Sequence, residues 1–161
     1  MSIIPDTVKA YIAGFLDADG CIMFQLIKRC DYRFGFQIRA SVVFYQKSEK
    51  KSHLEWIKKV LGVGFVRDRN DGMSEYAIVG LDSVNRVLEL FKPYIRLKIK
   101  QINLAKQIYS LLSGEFDLIK FVKAAELVDK FEKLNYSKRR VNTSNVLKSY
   151  LKQRNLFPRN D

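Results

Sequence analysis

Cysteine is nearly missing from this sequence. Cys21 and Cys30 are the only two, too few for a disulfide framework and without Cys or His partners at zinc-binding spacing. They read as free thiols, used for packing in a reducing compartment. No apolar run approaches the roughly 20 residues needed to span a bilayer, which excludes a transmembrane helix. The N-terminus has no charged stretch followed by an apolar core and a cleavage site, so no secretory signal is expected there. Low-complexity tracts are absent as well. With 47% hydrophobic and 12% aromatic residues, the 161 residues carry enough apolar material for a real core. One compact domain over 1–161 is expected, with 143–161, a last helix and tail, as its least defined part, and disorder only at the termini.

Acidic side chains are the next shortage. Seventeen Asp and Glu face twenty-nine Lys and Arg, a formal charge of +12. Such an excess concentrates polyanions around the protein and drives counterion release on phosphate contact. Nucleic acid is the natural partner; a basic surface kept for solubility is the alternative. A membrane surface fits less well, because the basic residues are spread over strand-like and helix-like segments alike.

Periodicity supplies the elements. Asp6 is a candidate N-cap for a helix from Thr7 to about Leu16. Val8, Tyr11, Ile12, Phe15 and Leu16 form a large apolar stripe on it, and Ala10, Ala13, Gly14 and Asp17 a second stripe of mostly small side chains. The large stripe suits a core; the small one suits close approach of another helix. Gly20 is expected to end the helix in a left-handed turn. Residues 22–29 then read as a strand. After a turn at Cys30–Gly35, Phe36, Ile38, Ala40, Val42 and Phe44 alternate with Gln37, Arg39, Ser41, Val43 and Tyr45. That pattern is an antiparallel sheet with one side on a core. Ser48 to Leu61 reads as a helix ended by Gly62. Phe65–Arg69 and Glu75–Val79 flank the turn Asn70-Asp71-Gly72. Asp82 is expected to cap a helix reaching Phe91, which Pro93 breaks. Helices follow over about 96–112 and 117–134, with Gly114 at the joint, and a last one near 143–152. Ahead of that last helix the order is αββαββααα, an α+β class.

The segment Ile12-Ala-Gly-Phe-Leu-Asp-Ala-Asp-Gly20 resembles the LAGLIDADG signature of homing endonucleases, with conservative apolar changes at three positions. Gly64-Phe-Val-Arg-Asp-Arg69 and Pro93-Tyr-Ile-Arg-Leu-Lys-Ile-Lys-Gln101 are similar to the single-motif, homodimeric branch. The resemblance implies an αββαββα fold with a saddle-shaped antiparallel sheet and additional C-terminal helices. It also implies a site-specific double-strand DNA endonuclease of the intron-homing type, acting on a long pseudo-palindromic site. The residues support the motif on their own terms. A helix C-terminus carries partial negative charge, so Asp17 and Asp19 at its end are electrostatically frustrated unless a cation binds. Mg²⁺ takes one or two carboxylates and completes its shell with phosphate oxygens and waters. Capping of the turn is the alternative for both acids, and a serious one for Asp17.

By resemblance, Asp19 and the main-chain carbonyl of Ala18 hold the metal: Mg²⁺, with Mn²⁺ or Ca²⁺ as further candidates. Gln46 falls where a glutamine orders the water network and Lys98 where a lysine supports the scissile phosphate. Lys50 occupies a basic position that is arginine in some relatives, with a merely solvated lysine as the alternative. A single motif implies that two chains pair, with Ala10, Ala13, Gly14 and Asp17 as the two-fold contact. Family members are commonly intron-encoded, which implies an intracellular protein, in a chloroplast or mitochondrion if organelle-encoded and otherwise in a prokaryotic cytoplasm. The lone His53 lies on a presumed helix away from the motif and needs no catalytic role.

The sheet's polar face gives a second, independent argument. A two-stranded ribbon fits the major groove, where amides and guanidiniums read base edges. Gln25, Arg29, Gln37, Arg39, Ser41, Tyr45, Arg67, Arg69 and Glu75 are the candidate readers, with Tyr32 in the connecting turn and Met23, Ile27, Val43 and Ala77 for thymine methyls. Lys and Glu are scarce among them, unlike on a merely soluble face. Lys28, Lys47, Lys138, Arg139 and Arg140 suit phosphates. The expected partners are therefore double-stranded DNA and a second copy of the chain, with no membrane and no small-molecule substrate. An RNA maturase that binds without cutting is the rival reading. A ribosome-associated structural protein would explain the charge but not the acid-tipped helix.

Overall fold

A computed structural model of the chain describes residues 3–157. Its elements are α1 (Asp6–Asp19), β1 (Gly20–Lys28), β2 (Phe36–Lys47), a 3₁₀ turn (Ser48–Lys50), α2 (Lys51–Leu61), β3 (Phe65–Asp68), β4 (Met73–Val79), α3 (Leu81–Phe91), α4 (Ile99–Leu112), α5 (Leu118–Asp129), α6 (Phe131–Leu134) and α7 (Ser144–Gln153). The strands form one sheet in the order β1-β2-β4-β3, and β4 runs antiparallel to both its neighbours. This is the expected α+β order. No helix among the described residues is long and apolar enough to cross a membrane. The chain divides into two compact units, one holding residues up to Met23 with Ala40–Asn103, the other Phe24–Arg39 with residues from Leu104 onward.

In the first unit, α1 buries a narrower face than its two stripes predict. Ile12, Ala13, Leu16 and Asp17 are buried, whereas Ala10, Tyr11, Gly14 and Ala18 are exposed. At about 100° per residue, Gly14 and Ala18 fall opposite Leu16, so only part of each stripe points inward. Two of the four residues expected at a two-fold contact, Ala13 and Asp17, are therefore committed to their own chain. Ala10 and Gly14 remain free, and a Cβ built on Gly14 meets nothing within 4 Å. The caps differ in detail as well. Pro5 is the N-cap of α1 and Gly80 that of α3, leaving Asp6 and Asp82 in the first turns.

Gly20 ends α1 for a different reason from the one expected. Its backbone is extended, φ −95° and ψ 173°, rather than left-handed. The requirement is space: a Cβ there would lie 2.5 Å from Leu16 Cδ1 and 2.9 Å from Leu16 Cα. Gly20→Ala should thus displace the last turn and its acids, lowering stability by about 1–3 kcal/mol; a thermal melt checks it, and an unchanged midpoint would contradict the packing argument. Gly62, by contrast, is left-handed at φ 68° and closes α2 as predicted.

In the second unit, Leu26, Phe36, Phe121, Val122, Ala125, Leu147 and Leu151 form the core. Asp117 caps α5 by accepting from the Lys120 N–H, and Thr143 caps α7 by accepting from the Val146 N–H. The single helix expected over 117–134 breaks at Lys130 into α5 and α6. Near that break Arg140 donates to the Val128 carbonyl at 3.1 Å. The Asp129 carboxylate meanwhile takes the Ser144 hydroxyl at 2.6 Å.

Candidate active site and nucleic-acid interface

The two acids at the tip of α1 have separate fates. Asp17 turns inward, where its Oδ2 accepts from the main-chain N–H groups of Arg96 at 2.7 Å and Leu97 at 3.1 Å. Its Oδ1 accepts from the Lys98 N–H at 3.1 Å. These amides lie just ahead of α4, where a carboxylate meets the positive end of the helix dipole. The helix expected from about Arg96 starts at Ile99, and the three amides just ahead of it are taken up by Asp17. Lys98 returns the interaction, its ammonium donating to the Asp17 carbonyl at the negative end of α1. Lys98 therefore relieves part of the charge conflict that the sequence raises at this helix end.

Asp19, two residues on, is exposed, and among the described residues its carboxylate has no hydrogen-bond or ion-pair partner. The Ala18 carbonyl beside it belongs to the last four of the helix, which lack intrahelical donors. No group of three or more His, Cys, Asp or Glu forms a metal cage among the described residues. A hard divalent cation of the magnesium type needs none, since one carboxylate, a carbonyl, waters and substrate phosphate complete its shell. This donor set fits such an ion.

Gln46, Lys50, Lys98 and Asp19 all belong to the first unit. The Gln46 side-chain oxygen accepts from the Lys47 N–H at 2.9 Å, which leaves the amide NH₂ as a donor. Lys50 is exposed and sits immediately before α2. His53 is closer to the motif helix than expected. Its Nε2 lies 3.4 Å from the Tyr11 hydroxyl, and its ring packs edge-on to Phe15 and stacks on Trp56. Sequence spacing alone gives no sign of this contact between α1 and α2.

The candidate readers are held rather than loose. In the first unit the register sets Tyr45, Glu75 and Arg67 side by side across three strands. Glu75 bonds Arg67 at 2.6 Å, and the Arg69 guanidinium lies over the Tyr45 ring at 5.8 Å. Burial, with Cys21 and Glu75 nearby, pushes the Tyr45 phenol above its ordinary value, so it remains a donor at neutral pH. Ser41 and Glu75 are buried, at 5% and 7% exposure, as are Val43 and Ala77. Glu75 acts on its arginines, and the floor of this face is covered by the side chains around it. In the second unit Gln25, Arg29, Tyr32 and Arg39 are exposed and Gln37 is half-buried. Arg29 is aimed by Asp31 at 2.7 Å and 2.9 Å, a partner the sequence reading passed over. Its signal was an acid two residues on in a tight turn.

Lys138 and Arg139 are exposed, as a phosphate contact requires. Arg140 is a correction: its guanidinium donates to the Phe24 and Val128 carbonyls at 2.8 Å and 3.1 Å, a structural clamp inside the second unit.

Comparison with known proteins follows the same lines. Residues 12–110 match the family model described as LAGLIDADG endonuclease. The DNA endonuclease I-CvuI of Chlorella vulgaris is 40% identical over 144 residues, 89% of each chain. The DNA endonuclease I-CreI of Chlamydomonas reinhardtii is 34% identical over 142 residues, 88% of this chain and 86% of that one. A crystal structure of I-CvuI with its target and calcium superposes with a TM-score of 0.88 at 39% identity, covering 93% of this chain and 96% of that one. A second I-CvuI structure holds uncleaved DNA in the presence of magnesium, with a TM-score of 0.86 at 40% identity over 90% of this chain and 92% of that one. Motif, strand order and similarity across most of its length agree: the chain belongs to the LAGLIDADG endonuclease family.

Proposed function

We propose that this protein cuts double-stranded DNA at a specific long site, as a homodimer and with a divalent metal, in the manner of intron homing. The observation that carries the reading is the unpartnered Asp19 carboxylate at the tip of α1, beside an Asp17 that is fully committed to structure. Asp19 and the Ala18 carbonyl would hold the ion, Mg²⁺ in the first instance. When bound there, such an ion would polarise the scissile phosphate and make the attacking water more acidic. Gln46 orients that water through its free NH₂, while Lys98 and Lys50 place positive charge beside the phosphate, where negative charge grows during in-line attack. The similar structures that contain target DNA with calcium or magnesium support this choice of partner and ion.

Duplex cleavage needs one hydrolysis per strand, and each chain offers one acid-tipped helix. Two chains pair through the exposed small residues Ala10 and Gly14, with Ala18 continuing that face. Gly14→Leu should therefore raise the dimer dissociation constant by at least about tenfold without lowering monomer stability, since nothing in the chain crowds that position. Sedimentation equilibrium checks it, and unchanged self-association would contradict the interface. Residues 1–161 act as one endonuclease domain in this reading, in an organelle when organelle-encoded and otherwise in a prokaryotic cytoplasm.

Incubation with a randomised duplex library, in Mg²⁺ and then in EDTA, tests the function. Metal-dependent double-strand cuts at one sequence are expected. Selective binding without cuts would replace this reading with that of a binding module such as a maturase.

A further inference from the structure

Under the second hairpin runs a chain of polar groups that neither base readout nor metal holding uses. Ser74 is completely buried. Its hydroxyl donates to Asp68 Oδ1 at 2.7 Å and lies 2.8 Å from the Ser48 hydroxyl. A serine has one hydroxyl proton, and here it goes to the carboxylate, so Ser48 is the donor to Ser74. Lys51 closes the chain by donating to Asp68 Oδ2 at 3.0 Å. The Asp68 carboxyl, bonded by Ser74 and Lys51, is held below its usual range and is ionised at neutral pH. The Ser48 N–H also donates to the Gly72 carbonyl at 2.9 Å, tying the same segment to the hairpin turn.

Strand register gives this chain a meaning. Ser74 is paired with Gln46 on one side and Asp68 on the other. The adjacent row is Tyr45, Glu75 and Arg67, whose side chains occupy the opposite face of the sheet. Ser48 and Lys51 bracket Lys50, and both are anchored to Asp68, one through Ser74 and one directly. An ionised acceptor at the end of a hydrogen-bond chain strengthens the links leading to it.

We propose that Ser48, Ser74, Asp68 and Lys51 form a positioning network for the cleavage reaction, fixing Lys50 relative to the hairpin that reads the bases. The inference rests on the role given to Lys50 under the proposed function. None of the four network residues touches the substrate; they act through the segment they pin.

Single-turnover cleavage and affinity are measured in Mg²⁺ on the duplex site that the wild type selects from a random library, for S48A, S48T, D68N, K50A and S48A/K50A. S48A and D68N should cut about tenfold more slowly with affinity within about twofold of wild type, because a displaced supporting group costs rate rather than binding. S48T keeps the hydroxyl and should restore the rate. The double variant should be no slower than K50A alone, since both changes remove the same contribution. S48A cutting at the wild-type rate, or rate losses that multiply in the double variant, would overturn the network while leaving Lys50 in place. K50A cutting at the wild-type rate would remove the role of Lys50 itself, and the network with it. D68N, changed at an exposed carboxylate, keeps the test decisive should S48A fold poorly, which a thermal midpoint reveals.

Discussion

Replacing Asp19 by asparagine should lower the single-turnover cleavage rate by on the order of 10³-fold while leaving target affinity within about threefold and the thermal midpoint unchanged. The expectation follows from what Asp19 does not do. Its carboxylate is exposed and has no partner among the described residues, so no contact within the chain is lost on substitution. An amide preserves the shape but gives up the charge that a hard cation requires. It also lessens repulsion from DNA phosphates, so binding should hold or tighten slightly. Rate and affinity measured together decide the matter. A variant that still cuts at the wild-type rate removes the metal site from Asp19, and one that loses binding and rate in parallel makes the residue a contact rather than a metal ligand.

The second large effect concerns the acid two residues away, and it should be of the opposite kind. Asp17→Ala leaves the main-chain N–H groups of Arg96, Leu97 and Lys98 without an acceptor. Each such amide costs about 1–3 kcal/mol when stranded away from water, so a loss of about 3–5 kcal/mol is expected overall. Against a typical domain stability of about 5–15 kcal/mol that is severe. The Lys98 ammonium would lose its fixed acceptor geometry as well, because the turn carrying it is anchored by that carboxylate. Asp17→Asn retains one acceptor oxygen and should cost less. Urea denaturation of the three proteins in the absence of DNA and metal measures this, and an Asp17→Ala midpoint equal to wild type would refute the assignment. One helix tip thus carries two acids with separable signatures, stability for Asp17 and rate for Asp19.

Much of this was legible in the residues because it depended on periodicity. The α+β order, the Asn70-Asp71-Gly72 turn and the closing of α2 at Gly62 follow from patterns a few residues long. What failed to show depended on the angle at which an element is buried or on partners far away in sequence. Helical spacing identified the small stripe but not that Ala13 and Asp17 would turn inward while Ala10 and Gly14 turned out. The basic run at 138–140 looked uniform, although Arg140 is drawn to the Phe24 carbonyl, 116 positions away in the chain. His53 meets Tyr11 and Phe15 only once α1 and α2 are packed. The chain through the buried Ser74 joins residues 26 positions apart, and nothing in either segment alone announces it. Gly20 is the instructive middle case: the helix end was placed correctly, yet crowding against Leu16, rather than a left-handed backbone, makes glycine necessary.

Native mass spectrometry of the wild-type and Asp19→Asn proteins on the selected duplex, in Ca²⁺ to hold the DNA intact, addresses the core of the account. Two protein chains per duplex, with bound calcium that disappears in the Asp19→Asn complex, are predicted. One chain per duplex, or the same calcium count in both complexes, would contradict it.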